Sequence, residues 1–538
     1  MGCLFIGKKV KSIDFGNRDV IYFLHQFAPY ILLYYGGFTM KRKLSMILAL
    51  LMLATSFCAC ASDGGSEGEN AAADAAVDTT ASVDEVPADP LPEDLKFDGE
   101  TVRFLARDRD WMADELAVDD LNGEAVNDAV YKRNQLVEER LGVKLSTFKT
   151  GGTDQYAIKN LVKELVQAGS DEYDIFHNSN YSTIMNTGDN IFHNLYDFKY
   201  LNLENPWWSQ GFNAEASIGK AQYLATGDIA LSLRRLTFVT FFNKKLFEDY
   251  KVENIYDVVR DGKWTLEYQG RIAEQMYRDL NGDQQKDQDD AFGFMTNGTQ
   301  IGVDPYWSAC NLDILKKTAD NTYEYVIDID RLSRAVTSIN KLIWENEGSW
   351  SIPGVAYDLE QETIAQLFSN GNVGMVTLRL IEAEGAHLRG MEDDYGILPI
   401  PKLDETDEYY SYAHDQFNSY GMPTTLKEER FDLVGATLEY MAYQSKLLVM
   451  PAYYDNALKF KYASDPDSGE MLDLIFDNFK VDAGVFYTKN LNSVHQGLRG
   501  LIANNSNDVA STYQEYATLV PTLLDEMQQM ILALETEG

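Results

Sequence analysis

The sequence predicts an α/β protein built from at least two domains. Three observations carry this. Strand-like and helix-like segments alternate from Phe97 onward, the signature of βαβ units around a parallel sheet. The chain has 538 residues, too many for one ordinary core. Hydrophobic residues make up 45% and aromatics 12% of it, ample apolar surface for more than one core.

The first segments are addresses rather than fold. Lys41, Arg42 and Lys43 precede an apolar run from Leu44 to Leu53 and a small-residue stretch ending at Ala59-Cys60. That is a secretory signal over residues 40–59, with an apolar run too short to span a membrane. Its end resembles a bacterial lipobox, which makes Cys60 the expected lipidation site. Phe57 departs from the usual leucine, and Cys58 fits less well. Translation is therefore expected to start at Met40, with residues 1–39 an upstream extension. Gly36-Gly37 can be encoded as GGAGG, about seven nucleotides ahead of the Met40 codon, the spacing of a ribosome-binding site before an export signal. The alternative is a genuine N-terminal extension. Residues 60–96 are rich in Ala, Asp, Glu, Gly, Ser and Pro; they bury too little to order themselves and read as a flexible tether. Gly64-Gly65-Ser66-Glu67-Gly68 matches GxSxG, but no strand precedes it and no helix follows, so it is no nucleophile elbow.

From Phe97 the elements follow in order. Thr101 to Leu105 reads as a strand. Asn127 or Asp128 is expected to cap a helix with Val130, Val137 and Leu141 on its apolar face, ended by Gly142. Val143 to Phe148 is a second strand. Ile158, Leu161, Val162, Leu165 and Val166 form a helical stripe stopped by Gly169. Tyr173 to Phe176 is a third strand. Ligands of open α/β sheets sit beyond the carboxyl ends of the strands, which selects 106–110 and 177–181 and within them Asp108, Arg109, Asn180 and Tyr181. Leu236 to Phe242 is a strong strand and Phe292-Gly293-Phe294 a short one. The region after Leu426 reads as helical, with helices over Phe431–Tyr443 and Gly469–Asp477.

Charge narrows the function. Lys and Arg total 46 against 84 Asp and Glu, a formal net charge of -38. Such a field repels phosphate backbones and anionic headgroups and excludes nucleic acid as a partner. The six histidines include no HExxH spacing. Three of the four cysteines lie at the N-terminus, so no disulfide framework serves the folded part, and Cys310 reads as a buried small hydrophobe. No Walker loop or dinucleotide fingerprint is present.

The acidic stretch Asp279–Asp290, DLNGDQQKDQDD, carries a metal signal. Calcium loops place oxygen ligands at positions 1, 3, 5, 7, 9 and 12. Asp279, Asn281, Asp283, Asp287 and Asp290 fall on such positions, with Gln285 offering its backbone carbonyl. Gln284 stands where a glycine is usual, and Asp290 replaces the bidentate glutamate. Ca²⁺ is the expected cofactor, as a structural staple; the alternative is a solvated acidic turn.

Several blocks in order carry a resemblance: Tyr173-Asp174-Ile175, Pro206-Trp207-Trp208, Thr226-Gly227-Asp228, Phe241-Phe242-Asn243-Lys244-Lys245-Leu246-Phe247, Gly262-Lys263-Trp264-Thr265, the acidic loop with Phe292-Gly293-Phe294, Phe368-Ser369-Asn370-Gly371, Gly396 to Lys402, and Pro451 to Asp455. From about Phe97 to the C-terminus the chain resembles the extracellular solute-binding lipoproteins of bacterial ABC importers, in the carbohydrate-type group. The resemblance implies a two-lobed periplasmic-binding-protein-like fold, each lobe a mostly parallel sheet flanked by helices, with a helical C-terminal region. It places a first lobe over 97–230, a second over 231–398, and a return with C-terminal helices over 399–538. The first crossing is expected at Thr226–Val239 and the return at Gly396–Lys402. It also implies a monomer anchored to the extracellular face of the cell membrane through lipid alone, which captures a carbohydrate, an oligosaccharide by preference, and hands it to ABC permease subunits without catalysis. Alternatives are a sugar-binding sensor or co-receptor for a membrane kinase, and a surface glycosidase.

Sugars are held by aromatic faces and planar polar groups. The expected ligand residues are Asp108, Asn180, Tyr181, Asp228, Trp307, Arg379 and Tyr412. Trp207-Trp208 is either a stacking platform or core, and Trp264 is expected to pack a helix start beside Thr265 as N-cap.

Overall fold

The computed structural model describes residues 87–538 apart from 110, 111, 113, 153, 299, 300, 353–359, 455–465 and 538. The expected upstream extension, signal segment, Cys60 and most of the tether lie outside the described residues. Glu85–Gly538 is one compact unit.

The first lobe opens as expected. Strand β1 (Thr101–Arg107), helix α1 (Ala125–Leu141), β2 (Lys144–Thr150), α2 (Gln155–Gln167) and β3 (Ile175–Ser179) follow one another, and β1 pairs parallel with both β2 and β3. Helix α1 starts earlier than Asn127 or Asp128. Glu124 is its N-cap and accepts from the Asn127 N–H, because a glutamate placed three residues ahead reaches that orphan donor. Gly142 ends it at φ +64, the left-handed conformation that glycine adopts without strain.

The chain then crosses through the short helix α3 (Leu231–Arg235) into β4 (Phe238–Asn243). The second lobe adds α4 (Leu266–Met276), β5 (Phe292–Thr296), a hairpin of β6 (Leu315–Lys317) and β7 (Tyr323–Tyr325), α5 (Ile329–Asn340), β8 (Ser349–Ser351), α6 (Glu360–Ser369), β9 (Val373–Arg379) and β10 (Tyr395–Leu398). Its sheet order is β10-β4-β9-β5-β8. β5 runs parallel to β8 and β9, while β4 runs against β9 and β10. Helix α4 lies directly on this sheet. A Cβ at Gly293 would sit 2.2 Å from the Ala273 carbonyl oxygen, so the Phe-Gly-Phe strand needs its glycine for close approach. Thr265 caps α4 as expected, accepting from Tyr268 N–H, and the buried Trp264 indole donates to Pro399 O at 2.9 Å.

The return crossing lies further along the chain than Gly396–Lys402. Residues 395–398 are the edge strand β10, and Pro399 and Pro401 end it because they have no N–H to donate. The chain goes back to the first lobe through residues 411–417. There Phe238 N–H donates to Tyr412 O and His414 N–H to Leu236 O, so the two crossings run side by side. Strand β11 (Asn418–Gly421) then joins β3 antiparallel. Helix α7 (Phe431–Gln444) packs on the first lobe and α8 (Pro466–Asp477) on β10. The chain finishes in α9 (Gln496–Ala503) and the long α10 (Val509–Glu537), which carries Pro521 inside it.

Candidate ligand-binding site

The two sheets direct strand ends at one junction. Beyond β3, Asn180 N–H donates to Phe417 O at 2.7 Å and Tyr181 N–H to Asp415 O at 2.9 Å. Beyond β1, Arg109 Nη1 donates to Gln416 Oε1 at 3.0 Å. The return crossing, residues 414–417, thus lies against both strand ends of the first lobe.

The second lobe and the C-terminal region bring charged partners. Asp304 is buried and forms a bidentate ion pair with Arg499 of α9, whose Nε lies at 2.6 Å. Glu360, at the start of α6, accepts from Gly302 N–H through Oε1 at 3.2 Å. Arg379, at the end of β9, donates its N–H to Gln361 Oε1 and a guanidinium N–H to Glu382. His495 Nδ1 lies 2.6 Å from Thr488 Oγ1.

Several polar atoms here have no partner among the described residues. Both side-chain atoms of Asn180, which is fully buried, are in this state, as are Glu360 Oε2 and His495 Nε2. Buried amides and carboxylates normally find a hydrogen bond, so such atoms mark where a water or a polar ligand belongs.

Electrostatics follow from burial. Asp415 is pushed up to about 7 by burial, with the Asp304 charge adding to it against Arg499 and Lys489. Glu360 is also raised to about 7, by burial first. His414 is driven well below its usual value by burial and by Arg379, Arg499 and Arg109. His495 falls to about 3 for the same first reason, with Arg499 and Lys489 adding to it. The site therefore holds neutral imidazoles and carboxyls that are readily protonated, a mixture of donors and acceptors suited to hydroxyl groups.

Space is tight. A cavity of about 20 Å³ beside Ser308, Tyr412, Asp415 and Phe417 is the opening found there, enough for about one water. A roomier groove of about 600 Å³ lies between Phe192, His193 and Tyr223 of the first lobe and Leu534 and Glu535 of α10. His193 Nε2 is already bonded to Leu426 O and Asn194 Oδ1 to two backbone N–H groups, so the junction, where buried polar atoms stay unpaired, is the stronger candidate.

The expected ligand residues divide. Asn180 and Tyr181 stand at the junction. Tyr181 meets Tyr156 edge-on with centroids 6.3 Å apart, and Lys489 Nζ lies 5.6 Å from its ring. Asp108 is exposed nearby. Tyr412 is buried at the small cavity rather than solvated, because the crossing it belongs to runs beside β4. Arg379 is half-buried at the strand end. Asp228 is buried at the crossing, within 3.4 Å of Arg234 and 3.8 Å of Lys446, an arrangement that ties the crossing. Trp307 is placed in the core, not on an open face: it is 2% exposed and its indole N–H donates to His495 O at 3.0 Å. Trp207 and Trp208 are core as well, and both indoles donate to Glu439. Asp304, Glu360, His414, Asp415, His495 and Arg499 were not among the expected residues. Their sequence signal was weak: single polar residues beside large apolar ones, as in Val303-Asp304-Pro305-Tyr306.

Side chains of the acidic loop hold its own backbone in tight turns. Asp279 accepts from Gly282 and Gln284 N–H, and Gln284 takes φ +63 at the sixth position. Asn281, Asp283 and Asp287 accept from N–H groups two residues on. Asp290 is buried, with Oδ1 on Leu280 N–H and Oδ2 unpartnered. Among the described residues no three His, Cys, Asp or Glu side chains converge to hold a metal ion.

No family profile and no curated protein matches the sequence. Solved structures do match. The GacH receptor of Streptomyces glaucescens, solved unliganded and with acarbose, is 15% identical with a TM-score of 0.51, covering 78% of this chain and 98% of its own. UgpB from Mycobacterium tuberculosis, solved with glycerophosphocholine, is 14% identical with a TM-score of 0.52, covering 80% and 99%. A sugar transporter protein from Rhizobium etli, in an open conformation, is 14% identical with a TM-score of 0.51, covering 80% and 99%. At these identities the likeness shows the fold: two-lobed and α/β, with the architecture of the solute-binding proteins of ABC importers.

Proposed function

We propose that the protein is a solute-binding protein of an ABC importer that closes its two lobes over a carbohydrate, an oligosaccharide by preference, and presents it to permease subunits. The observation that carries this is the buried junction. Asn180 from the first lobe, Glu360 from the second and His495 from the C-terminal region each keep a buried polar atom unpartnered, beside the return crossing. Groups of that kind bind a polyhydroxylated solute by exchanging hydrogen bonds for those of water. The acarbose complex of the GacH receptor and the sugar-transport role of the Rhizobium protein support the ligand class. The role is binding without chemistry. The ligand favours whichever state lets both lobes touch it, and only that difference in affinity drives closure. Location outside the membrane with a lipid anchor at Cys60 rests on the signal and tether read from the sequence, and among the described residues no helix is long and apolar enough to cross a membrane.

A thermal-shift and calorimetric screen of mature protein against mono- and oligosaccharides tests this. A ligand should raise the melting temperature with its concentration, and Asn180→Ala should weaken it at least tenfold. Saccharides that never shift the transition, or that are cleaved, would end the proposal.

We further propose that Ca²⁺ occupies the acidic loop as a staple between α4 and β5. Support comes from the positive φ at Gln284 and the unpartnered Oδ2 of Asp290. Asp279, Asn281, Asp283, Asp287 and Asp290 would hold the ion, with the Gln285 carbonyl.

A further inference from the structure

The flank of the molecule carries a contact that the simple picture of two hinged lobes does not contain. The C-terminal region is fastened to the second lobe: Arg499 pairs with Asp304, the Trp344 indole donates to Ile502 O at 2.7 Å, and Asn340 Nδ2 to Ser506 O at 3.1 Å. Together with the β6–β7 hairpin it then reaches across to one turn of the first lobe, Ser217–Gln222. Asn321 Nδ2 donates to Gly219 O at 2.8 Å and Gly219 N–H returns to Asn321 O at 2.9 Å. Lys317 Nζ donates to Ser217 O and Tyr323 OH to Glu215 O. At the end of α10, Glu535 accepts from Lys220 N–H. The hairpin and the helix are joined in turn, since Gln528 exchanges hydrogen bonds with both backbone groups of Tyr323.

The turn is shaped for this grip. Gly219 sits at φ +60, and a Cβ there would come 2.2 Å from Glu535 Oε1 and 2.5 Å from Leu532 Cδ2. Gly188 of the first lobe likewise lets Met530 approach, with its Cβ position 3.3 Å from that side chain. Most of these bonds are part-buried and join segments far apart in the chain, each worth about 1 kcal/mol net, and Ile218 and Ala221 of the turn belong to the same buried apolar cluster as Tyr323, Met527 and Ile531, so the contact forms or releases as a unit. Strand β6 packs against residues 483–486, of which Val485 and Phe486 line the small cavity of the junction.

We propose that the β6–β7 hairpin and the end of α10 form a releasable latch on the Ser217–Gln222 turn, which holds the lobes closed and must let go before the junction opens to solvent. The proposal rests on the reading of this chain as a protein whose lobes part and close. Arg499 connects latch and site, because α9 carries it to Asp304 and α10 follows directly.

Hydrogen–deuterium exchange on the full chain, wild type against Lys317→Ala/Asn321→Ala, tests it without a ligand. The latch predicts a rise of at least threefold in exchange at the distant junction amides of Asn180, Tyr181 and His414, as well as at 216–222 and 315–325. The strand amides of Leu105 and Phe294 stay unchanged. A rise confined to 216–222 and 315–325 overturns the latch, since packing alone would give that. If Leu105 and Phe294 also speed up, the variant has lost stability. The milder Glu535→Ala then decides between the same two outcomes. The saccharide screen is separate: a latch can be confirmed with no sugar found, and a sugar found with no latch.

Discussion

Asp415→Asn should stabilise the protein by an amount that grows as pH rises from about 4 to 7 and is complete at neutral and alkaline pH. The Asp415 carboxyl is 7% exposed, with His414 Nε2 at 3.7 Å, and its own backbone N–H supplies the hydrogen bond that favours its charged form. Burial carries it from 3.8 to about 7. One decade of proton affinity is about 1.36 kcal/mol, so ionising it in the folded state costs up to about 4 kcal/mol. The sign follows from linkage. Between 3.8 and about 7 the folded form holds the proton that the unfolded chain has released, so stability falls as pH rises through that window and levels off above it. Asparagine keeps the shape and never ionises. The variant should match wild type near pH 4 and exceed it by up to about 4 kcal/mol at pH 8, which is roughly 4 °C in melting temperature for a chain of this length. Urea melts of both proteins from pH 4 to pH 8 read this directly. A variant less stable than wild type at pH 8, or a difference that ignores pH, would refute the argument and show that Arg499 and Lys489 outweigh burial in favouring the ionised form.

Three further outcomes are expected. Glu439→Ala removes the acceptor of two indole N–H groups, the Asn205 amide and the Asn202 N–H; stranding buried donors should cost about 3–5 kcal/mol in a denaturant melt. Gly293→Ala drives a methyl into the Ala273 carbonyl and should lower stability by about 1–3 kcal/mol, with no rescue from removing nearby side chains, because the clash is with backbone. Chelation followed by Ca²⁺ should lower and then restore the melting temperature in wild type but not in Asp279→Ala; a transition indifferent to both would leave the loop a solvated turn.

The first lobe was legible because its signals are local. Period-3.6 stripes, and glycines that must turn left-handed, give the order of the first βαβ units, with boundaries shifted by one to three residues, as at the third strand, expected over 173–176 and observed at Ile175–Ser179. The candidate site was legible only where it sits at a strand end. Asn180 and Tyr181 could be named because position after β3 is a local fact. Asp304, Glu360, Asp415 and Arg499 meet only after chain segments up to 195 residues apart are folded together, and each alone looks like an isolated polar residue. Aromatic content misled in the opposite direction. Trp307, Trp207 and Trp208 suggested sugar platforms, yet each indole N–H found an internal acceptor, and a ring so satisfied is worth more in the core. The return crossing was displaced because two prolines read equally well as a stiff crossing or as a strand terminator.

The pair of crossings has a chemical centre that holds them side by side. Glu115 is fully buried, and its carboxylate accepts from Ser232 N–H and Oγ on α3 and from Asn418 Nδ2 on β11, at 2.5, 3.1 and 2.6 Å, with His177 Nε2 of β3 at 3.2 Å. One side chain thus fastens the outgoing crossing, the returning crossing and the central strand of the first lobe. Beyond these bonds, at Thr237 and Ala413, the two crossings pair through their backbones, with the Phe238 and Tyr412 rings 6.1 Å apart beside them. Backbone pairs of two extended segments twist at small cost, whereas a buried carboxylate with several donors does not tolerate loss of any one of them. If the lobes part as proposed, this backbone pair is the soft place for the pivot, beside a rigid anchor.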